Sequence, residues 1–403
     1  MARLFHGMLQ LNLLYLTGSL SRDGGGLFTA LQGLLPALAA TGDQVCLHGL
    51  TDAGWAADAA TWHGQQVFAH AQRGPRAFGY APAMRDAVAN APAAVVHCHG
   101  LWKYPSVLGR RLQQRRRLPL VVSPHGMLNS QALAVARFKK SIALMAYERA
   151  HVMNADCLHA LVDTELEAIR RFGYRGPVCV IPNGVTLPDG APLGPAPWLR
   201  EQSSLTGRTP VLLYLGRKHP IKNLDGLLHA WQILEQAGKT DPWHLVIAGW
   251  GDPPDEVALN AVFERLQLQA AHCLGPLFGA DKAAALAGAS GFVLVSHGEA
   301  LPVAMLEAWA WELPAVLSRQ CNFPEAFELG AALEAQTEPA AMAAQLHRFM
   351  QLSEAERSEM GRKGNTYVRE NFDWSQVAGQ FHSVYDWLAH GAARPDCIDP
   401  GTR

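Results

Sequence analysis

The chain has 403 residues, of which 34 are Lys or Arg and 35 are Asp or Glu. Because 49% of the residues are hydrophobic and 17% are charged, the composition excludes a disordered chain and is sufficient for two or three buried cores. The net charge of −1 argues against a general nucleic-acid binder. Seven scattered cysteines without a C-x-x-C pair predict neither a disulfide framework nor a zinc knuckle, and they favour a reducing compartment.

No segment is predicted to cross a membrane or to act as a secretory signal. The uncharged stretch 24–42 holds 19 residues, but five of them are Gly and Pro36 lies inside it, whereas a spanning helix needs about 20 predominantly apolar residues. The first residues lack a compact basic region followed by a cleavage site. We therefore expect a cytoplasmic protein.

Short apolar runs alternate with helical patterns in both halves of the chain. In a parallel sheet covered by helices on both faces, the strands are continuous apolar runs. The fold class is therefore predicted to be α/β, with two Rossmann-like, doubly wound parallel-sheet domains facing a central cleft. The predicted strands are residues 11–17, 44–50, 93–99, 118–123, 157–162, 178–182, 210–216, 243–249, 272–275, 291–296 and 314–318.

A stretch rich in Pro and Gly, residues 183–200, interrupts the alternation and is predicted to be a linker. This divides the chain into an N-terminal Rossmann-like domain, 1–190, and a C-terminal one, 191–372. Residues 391–403 are expected to form a disordered tail. Because ligands of doubly wound sheets bind beyond the carboxyl ends of the strands, segments that directly follow strands are the candidate functional segments.

A glycine-rich segment, residues 18–26, follows the first predicted strand and precedes a helix. Gly25 and Gly26 would let the backbone approach a phosphate at a helix N-terminus, where the helix dipole favours anions. The spacing is not the G-x-G-x-x-G of nicotinamide-binding domains. An ordinary turn explains the same glycines.

Histidines follow two predicted strands. His97 and His99 end the strand 93–99, and His125 follows the strand 118–123. His125 is the candidate for chemistry at the cleft, and His97 and His99 are candidates for the acceptor side. We expect the side chains of His97 and His99 to lie on opposite faces of the strand, with no carboxylate nearby in sequence, which disfavours a metal site.

Charged residues follow two strands of the second half. Three cations, from Arg217 to Lys222, come directly after the strand 210–216, and such cations neutralise the charge of a diphosphate leaving group. Glu299 precedes a predicted helix and Glu307 lies on it, so that an acid and a helix N-terminus could bind a hydroxyl and a phosphate of one ligand. An exposed basic turn and two surface glutamates are the alternatives.

Basic residues are concentrated in one segment, since residues 103–149 contain ten of them and a single acid. Three interpretations of this segment remain open: a solvated basic face, an apolar stripe that packs on the sheet, or an amphipathic element that is attracted to an anionic membrane surface or to a phosphate-bearing acceptor. The apolar residues at helical spacing are Val135, Phe138, Ile142 and Met145. The cations beside and upstream of them are Arg137, Lys139, Lys140, Arg110, Arg111 and Arg115 to Arg117.

In combination, these segments resemble those of the retaining, nucleotide-sugar-dependent glycosyltransferases of family 4, which have the GT-B fold. The segment 99–106 is similar to that of a bacterial branch that makes surface polysaccharides. Residues 373–390 resemble the family's last helix, which crosses back to the N-terminal domain. The resemblance is carried by SPHGML at 123–128, IPNGV at 181–185, GRKHPIKN at 216–223 and CNFPEAFELGAA at 321–332.

The resemblance implies roles for single residues. Arg217 and Lys222 would bind the donor pyrophosphate, and Glu307 would bind the ribose. Glu299 would contact the hydroxyls of the donor sugar, and His125 would lie near that sugar. The remaining donor-side residues would be Gly25, Gly26, Ala300 and Leu301.

Two residues depart from the family pattern. Ala300 replaces the glycine of Glu-Gly-Leu/Phe-Pro, and Glu312 replaces a glycine that is common before Leu313-Pro314. A residue with a side chain is strained where the backbone needs a positive φ. No D-x-D triplet is present, and cationic side chains with a helix N-terminus can neutralise a diphosphate instead, so we expect neither a metal nor another cofactor.

We therefore expect a retaining, metal-independent enzyme that moves a hexose from a UDP- or GDP-sugar to a saccharide or lipid-linked saccharide in polysaccharide or lipopolysaccharide biosynthesis. It would bind no nucleic acid and would lie in the cytoplasm, with 103–149 as its candidate contact with the inner face of the cytoplasmic membrane. The alternatives are a nucleotide-sugar epimerase on the same fold and a non-catalytic sugar-nucleotide-binding subunit.

Overall fold

The computed structural model describes residues 9–134, 136–190, 194–201, 205–299 and 301–401. The chain divides into two compact units. The N-terminal unit comprises Met1–Gly184 together with Trp374–Arg403, and the C-terminal unit comprises Val185–Asp373. The chain therefore passes between the units at residue 184 rather than at residue 190, and again at residue 373.

Each unit is built on one sheet of short, buried strands. The N-terminal unit contains β1 (Asn12–Thr17), β2 (Gln44–Leu50), β3 (Gln66–His70), β4 (Val95–His99), β5 (Leu120–Ser123), β6 (Cys157–Ala160) and β7 (Val178–Val180). The C-terminal unit contains β8 (Val211–Leu215), β9 (His244–Ala248), β10 (Ala271–Leu274), β11 (Gly291–Leu294), β12 (Ala315–Ser318) and β13 (Ala332–Ala335). A last strand, β14 (Ile398–Asp399), belongs to the N-terminal sheet.

The strand order is β14-β7-β6-β5-β4-β1-β2-β3 in the N-terminal sheet and β10-β9-β8-β11-β12-β13 in the other. Neighbouring strands are parallel except β14, which runs antiparallel to β7. The order reverses between β1 and β4 and between β8 and β11, and such points leave a crevice where ligands bind. The predicted fold class, two Rossmann-like parallel-sheet domains, is confirmed.

Helices cover the sheets. The N-terminal unit contains α1 (Gly26–Ala40), α2 (Trp55–Asp58), α3 (Pro82–Val88), α4 (Tyr104–Arg116), α5 (Ser130–Ala134), α6 (Arg137–Ala143), a π-helical turn (Leu144–Glu148), α7 (Arg149–Met153) and α8 (Asp163–Phe172). The C-terminal unit contains α9 (Trp198–Glu201), α10 (Leu224–Gln236), α11 (Pro253–Leu266), α12 (Gly279–Gly288), α13 (Val303–Ala310), α14 (Glu325–Glu328), α15 (Pro339–Gln351) and α16 (Glu354–Asn371). The last helix is α17 (Trp374–His390).

Helix α17 lies in the N-terminal unit, where it packs on α1. The indole of Trp374 occupies the space beside two glycines, since a Cβ atom on Gly33 or Gly184 would lie 2.1 or 2.5 Å from the ring. Val377, Phe381 and other apolar residues of the helix are buried in the same cluster as the first strand. The N-terminal core is therefore completed by the end of the chain.

Two segments that the sequence predicts to be unstructured are packed instead. In the tail 391–403, Ile398 is buried and β14 pairs with β7. In the predicted linker, Ala196 and Trp198 are buried in the core of the C-terminal unit. Both predictions were wrong because Pro and Gly interrupt regular secondary structure without preventing apolar side chains from packing.

Glu312, which replaces a common glycine of the family pattern, adopts a left-handed conformation with a φ of +58°. It follows α13, and its carbonyl oxygen faces Gly361 of α16, where an added Cβ would lie 1.8 Å away. Glu312, which departs from the family pattern, therefore lies at a site of backbone strain.

We expect Glu312→Gly to raise the free energy of unfolding by about 1 kcal/mol, because glycine adopts positive φ without the steric cost of a Cβ. Glu312→Ala is the matched control, since it removes the exposed carboxylate but keeps the strained backbone. Urea unfolding of the three proteins measures the effect. Equal stabilities of the glycine and alanine variants would show that the conformation is not strained.

Candidate functional site

Two loops of the C-terminal unit flank the point where its strand order reverses, one after β8 and one after β11. Lys222 ends a short 3₁₀ turn in the first loop. Its ammonium donates hydrogen bonds to both carboxylate oxygens of Glu299 in the second loop, at 2.6 and 2.7 Å. The predicted cation and the predicted acid therefore meet, as a largely buried pair, at the crevice.

Glu299 is held by further contacts. The Ser296 hydroxyl donates to its carboxylate at 2.6 Å. The amide of Asn322 donates to the Glu299 carbonyl at 2.7 Å, and the Glu299 N–H donates to the Gln320 carbonyl at 3.2 Å. Sequence reasoning missed Ser296 and Asn322, although Asn322 lies in the CNFPE segment that carries part of the resemblance. The backbone and the carboxylate of Glu299 are thus both fixed.

The other cations of the first loop do not gather around this pair. Arg217 forms an ion pair with Asp252, and its guanidinium lies 5.2 Å from the centre of the Trp250 ring. Lys218 is only 7% exposed, and its ammonium faces Glu256 at 3.8 Å. The three cations predicted to converge on a diphosphate therefore point in different directions.

The second predicted acid lies on α13 and has a cation of its own. Glu307 accepts a hydrogen bond of 2.6 Å from the ammonium of Lys282 on α12. Leu301 lies just before the start of α13 and is half-buried. Ala300, the other departure from the family pattern, lies outside the described residues. Lys282, which the sequence did not single out, joins the candidate residues through this contact.

In the N-terminal unit, the glycine-rich segment forms a defined turn before α1. Gly25 has a φ of +60°, and a Cβ added to Gly25 or Gly26 would meet no described atom within 4 Å. The preceding loop is fixed by the carboxylate of Asp52, which accepts hydrogen bonds from the hydroxyls of Ser19 and Ser21. The glycines thus leave open space in front of the helix, as the approach of a phosphate requires.

His125 lies in a strained turn after β5. It has a φ of +50°, and Gly126 has a φ of +75°. The buried carboxylate of Glu165 holds this turn, because it accepts hydrogen bonds from the N–H groups of Gly126 and Leu161 at 2.5 and 2.9 Å. Burial, together with the neighbouring His159, lowers the pKa of His125 to about 3. A neutral imidazole in a strained turn is typical of a functional position.

The side chains of His97 and His99 were expected on opposite faces of the strand. This was wrong, because residues two apart on a strand share a face. Their rings stack at 4.0 Å between centroids. His97 is fully buried with both ring nitrogens hydrogen-bonded, and His99 contacts His125 at 3.2 Å. His97, predicted as a residue of the acceptor side, therefore has no exposed surface in this structure. Within the described residues, no group of three or more His, Cys, Asp or Glu side chains is arranged to hold a metal ion.

Comparison with protein-family models assigns both halves of the chain. The model described as a Glycosyl transferase 4-like domain matches residues 25–184, and the model described as Glycosyl transferases group 1 matches residues 209–351. The chain belongs to the group 1 glycosyltransferases of the GT-B fold. Among curated proteins, none matches the chain.

Solved structures share the fold of this glycosyltransferase. Sucrose-phosphate synthase from Thermosynechococcus elongatus is 20% identical, with a TM-score of 0.71 over 94% of this chain and 100% of that one. HepE from Anabaena, in complex with UDP-glucose, is 17% identical, with a TM-score of 0.70 and the same coverage. A glycosyltransferase from Rickettsia africae ESF-5 is 12% identical, with a TM-score of 0.69 over 95% and 100%.

A second candidate surface of the glycosyltransferase, which we call the docking face, comprises α6 and the π-helical turn. Three residues of the predicted apolar stripe are exposed to solvent: Phe138 by 79%, Ile142 by 52% and Met145 by 87%. Val135 lies outside the described residues. Phe138, Ile142 and Met145 therefore do not pack on the sheet. In the described part of the chain, no helix has the length and hydrophobicity needed to span a bilayer.

Proposed function

We propose that this glycosyltransferase transfers a hexose from a UDP- or GDP-sugar to a saccharide or lipid-linked saccharide, with retention of the anomeric configuration. The observation that supports the proposal most directly is the Lys222–Glu299 pair at the crevice of the C-terminal sheet. A cation suited to a diphosphate and an acid suited to sugar hydroxyls lie within one ligand's length there. HepE, which shares the fold, was crystallised with UDP-glucose.

In the proposed reaction, the bond between the anomeric carbon and the β-phosphate oxygen breaks while the acceptor hydroxyl oxygen bonds to the same face of that carbon. The hydroxyl proton passes to the departing phosphate. Lys222 would neutralise the charge that develops on this leaving group, and Glu299 would orient the sugar and stabilise its developing positive charge. Glu307 would bind the ribose, and His125 would lie near the sugar.

The proposal includes independence of metal ions, since the charges of Lys222 and Arg217 can take the place of a divalent cation at the diphosphate. To bind a diphosphate, Arg217 would exchange its exposed ion pair with Asp252, which is a weak interaction in water. Turnover in EDTA should therefore equal turnover in magnesium. A requirement for added metal would contradict this part of the proposal.

The test begins with a screen of UDP- and GDP-sugars for thermal stabilisation, because a ligand that binds only the native state raises the melting temperature. Sugar donors that bind are then incubated alone and with saccharide acceptors, and the products are analysed by proton NMR. We expect a new glycosidic linkage of retained configuration. An epimerised nucleotide sugar formed without acceptor would indicate the epimerase, an inverted linkage would refute retention, and binding without turnover would indicate a non-catalytic subunit.

We further propose that the docking face places the enzyme on the inner, anionic surface of the cytoplasmic membrane, where lipid-linked acceptors of polysaccharide or lipopolysaccharide biosynthesis would lie. Phe138, Ile142 and Met145 recur at three- and four-residue spacing and so share one side of the helix. Arg137 and Lys139 are exposed beside them. Apolar side chains flanked by cations are typical of interfacial helices.

We expect the wild-type protein to sediment with anionic vesicles at low salt and to dissociate at high salt. Arg137→Ser/Lys139→Ser should reduce the partition coefficient roughly 30-fold, because each cation contributes about 1 kcal/mol near an anionic surface. Phe138→Ser/Met145→Ser should also reduce it at low salt, because the apolar contacts with the bilayer are lost. The control is Val257→Ser, which changes an exposed apolar residue of the C-terminal unit. Equal binding of all four proteins would rule out the docking face.

A further inference from the structure

A chain of buried hydrogen bonds crosses the N-terminal sheet beneath His125. At one end, the Nε2 of His159 bonds to the carbonyl of Ile181 at 2.7 Å, and this nitrogen must be the donor because a carbonyl only accepts. Burial lowers the pKa of His159 to about 4, so the ring is neutral and its Nδ1 accepts from the Ser123 hydroxyl at 2.7 Å. The direction of the first two hydrogen bonds is thereby fixed.

The remaining hydrogen bonds of the chain follow in the same direction. Because the Ser123 proton points to His159, the Ser123 oxygen accepts from the Nε2 of His97 at 2.7 Å. His97 is also neutral, since burial lowers its pKa, and its Nδ1 accepts from the Tyr385 hydroxyl at 2.8 Å. Tyr385 in turn accepts from Tyr15. Helix α17 thus holds His97 in one orientation and one tautomer.

His99 is positioned by this chain. Its ring stacks on His97 at 4.0 Å and lies 4.8 Å from the ring of Tyr15. Its Nδ1 lies 3.2 Å from the Nε2 of His125, and its Nε2 is buried without a hydrogen-bond partner among the described residues. Both rings are neutral because burial lowers both pKa values. One proton therefore lies between the two histidines, on one ring or on the other.

The unpartnered nitrogen decides between these arrangements. If His125 donated, the Nε2 of His99 would carry a buried N–H without an acceptor, and such groups are rare in native structures. If His99 donates from Nδ1, its Nε2 carries only an unpaired acceptor lone pair, which costs less free energy than a buried N–H group without an acceptor. The Nε2 of His125 then accepts, and the proton of the neutral His125 ring lies on Nδ1, the nitrogen that this contact leaves free.

We propose that His99 is a positioning residue that holds His125 in the Nδ1–H tautomer, so that His125 presents a hydrogen-bond donor to an oxygen of the bound sugar or diphosphate. The tautomer follows from the geometry of this unit alone, whereas its use in catalysis rests on the proposed function. His99 itself is buried and acts through His125.

The tautomer is measured by long-range ¹H–¹⁵N correlation spectra of the full-length protein labelled with ¹⁵N-histidine at pH 7, with His125→Gln used to assign the signals. We expect a protonated Nδ1 and an unprotonated Nε2 at His125. The reverse pattern would overturn the proposal. In His99→Phe the single tautomer should become a mixture, whereas His99→Asn, whose amide can still donate to Nε2, should keep it.

Kinetics give the second readout. His99→Phe should lower turnover about tenfold, the equivalent of one hydrogen bond, with little change in KM, and His99→Asn should recover most of it. The matched control is His48→Phe. His48 and His70 form another stacked pair of histidines with a 3.0 Å contact, so the same substitution at His48 should leave turnover unchanged. Full activity of His125→Ala would refute the catalytic role of His125, whereas its tautomer is decided by the spectra alone. A reversed tautomer would refute the role of His99 without contradicting the proposed sugar transfer.

Discussion

Replacing Lys222 by Ala is expected to reduce turnover by roughly 100- to 1,000-fold while leaving the protein folded. A preorganised charge contact to a group that becomes charged in the transition state is typically worth about 3–4 kcal/mol. Lys222 is the cation that the structure places against Glu299, with both hydrogen bonds shorter than 3 Å. In the proposed mechanism, its removal takes away the charge that neutralises the leaving group, and it also removes the hydrogen-bond partner of Glu299.

Steady-state kinetics with the sugar nucleotide identified by the screen measures this effect, with thermal unfolding as the check on folding. Lys239→Ala is the matched control, because it removes an exposed lysine of the same unit and should leave kcat unchanged. Lys222→Arg should recover part of the activity, since it restores the positive charge. Wild-type turnover in a folded Lys222→Ala variant would remove Lys222 from the mechanism.

Gly249→Ala is expected to lower the free energy of unfolding by about 3 kcal/mol or more, as severe overpacking does. A Cβ at this position would lie 1.8 Å from the carbonyl oxygen of Gly216, which is backbone and cannot rotate away. Gly249 follows β9, and Gly216 opens the loop that carries Lys222. The substitution should therefore displace this loop and also weaken the binding of the sugar nucleotide.

Urea unfolding and calorimetric titration with UDP measure the two effects. The control is Gly275→Ala, which changes the glycine after the neighbouring strand β10, where an added Cβ would meet no described atom within 4 Å. That variant should be as stable as the wild type. A Gly249→Ala protein of unchanged stability would mean that the two loops can separate without cost.

The sequence predicts the central strands well and the edge strands poorly. All predicted strands are present, because strands buried on both faces are continuous apolar runs. The three that were missed, β3, β13 and β14, lie at the ends of the two sheets. Gln66 and Phe68 of β3, for example, are exposed, so the strand lacks a continuous apolar run. An edge strand buries less of its surface and leaves a weaker pattern in the sequence.

The candidate site shows a similar division. Lys222 and Glu299 were singled out because the loop that carries each of them follows a buried strand, and topology brings such loops together. The partner of Arg217 could not be foreseen, because Asp252 follows a different strand and ion pairing depends on side-chain direction. The side chains of His97 and His99 were predicted on opposite faces of their strand, but they lie on the same face, as residues two apart do. The hydrogen-bond chain that contains His97 depends on Tyr385, which lies 288 residues away in sequence and so could not be foreseen.

The chain passes between its two units at residues 184 and 373, and these positions determine which fragments can be expressed separately. Val185 donates a hydrogen bond to the carbonyl of Phe372 at 2.7 Å and pairs with Asp373, so the C-terminal unit begins and ends at adjacent points, like an inserted domain. Residues 185–373 are therefore the natural fragment for separate expression. A fragment ending at residue 184 would lack α17 and β14, expose the core of its own sheet and leave His97 without Tyr385. The N-terminal unit should instead be made as a circular permutant in which residues 374–403 precede residue 1, or with residue 184 joined directly to residue 374.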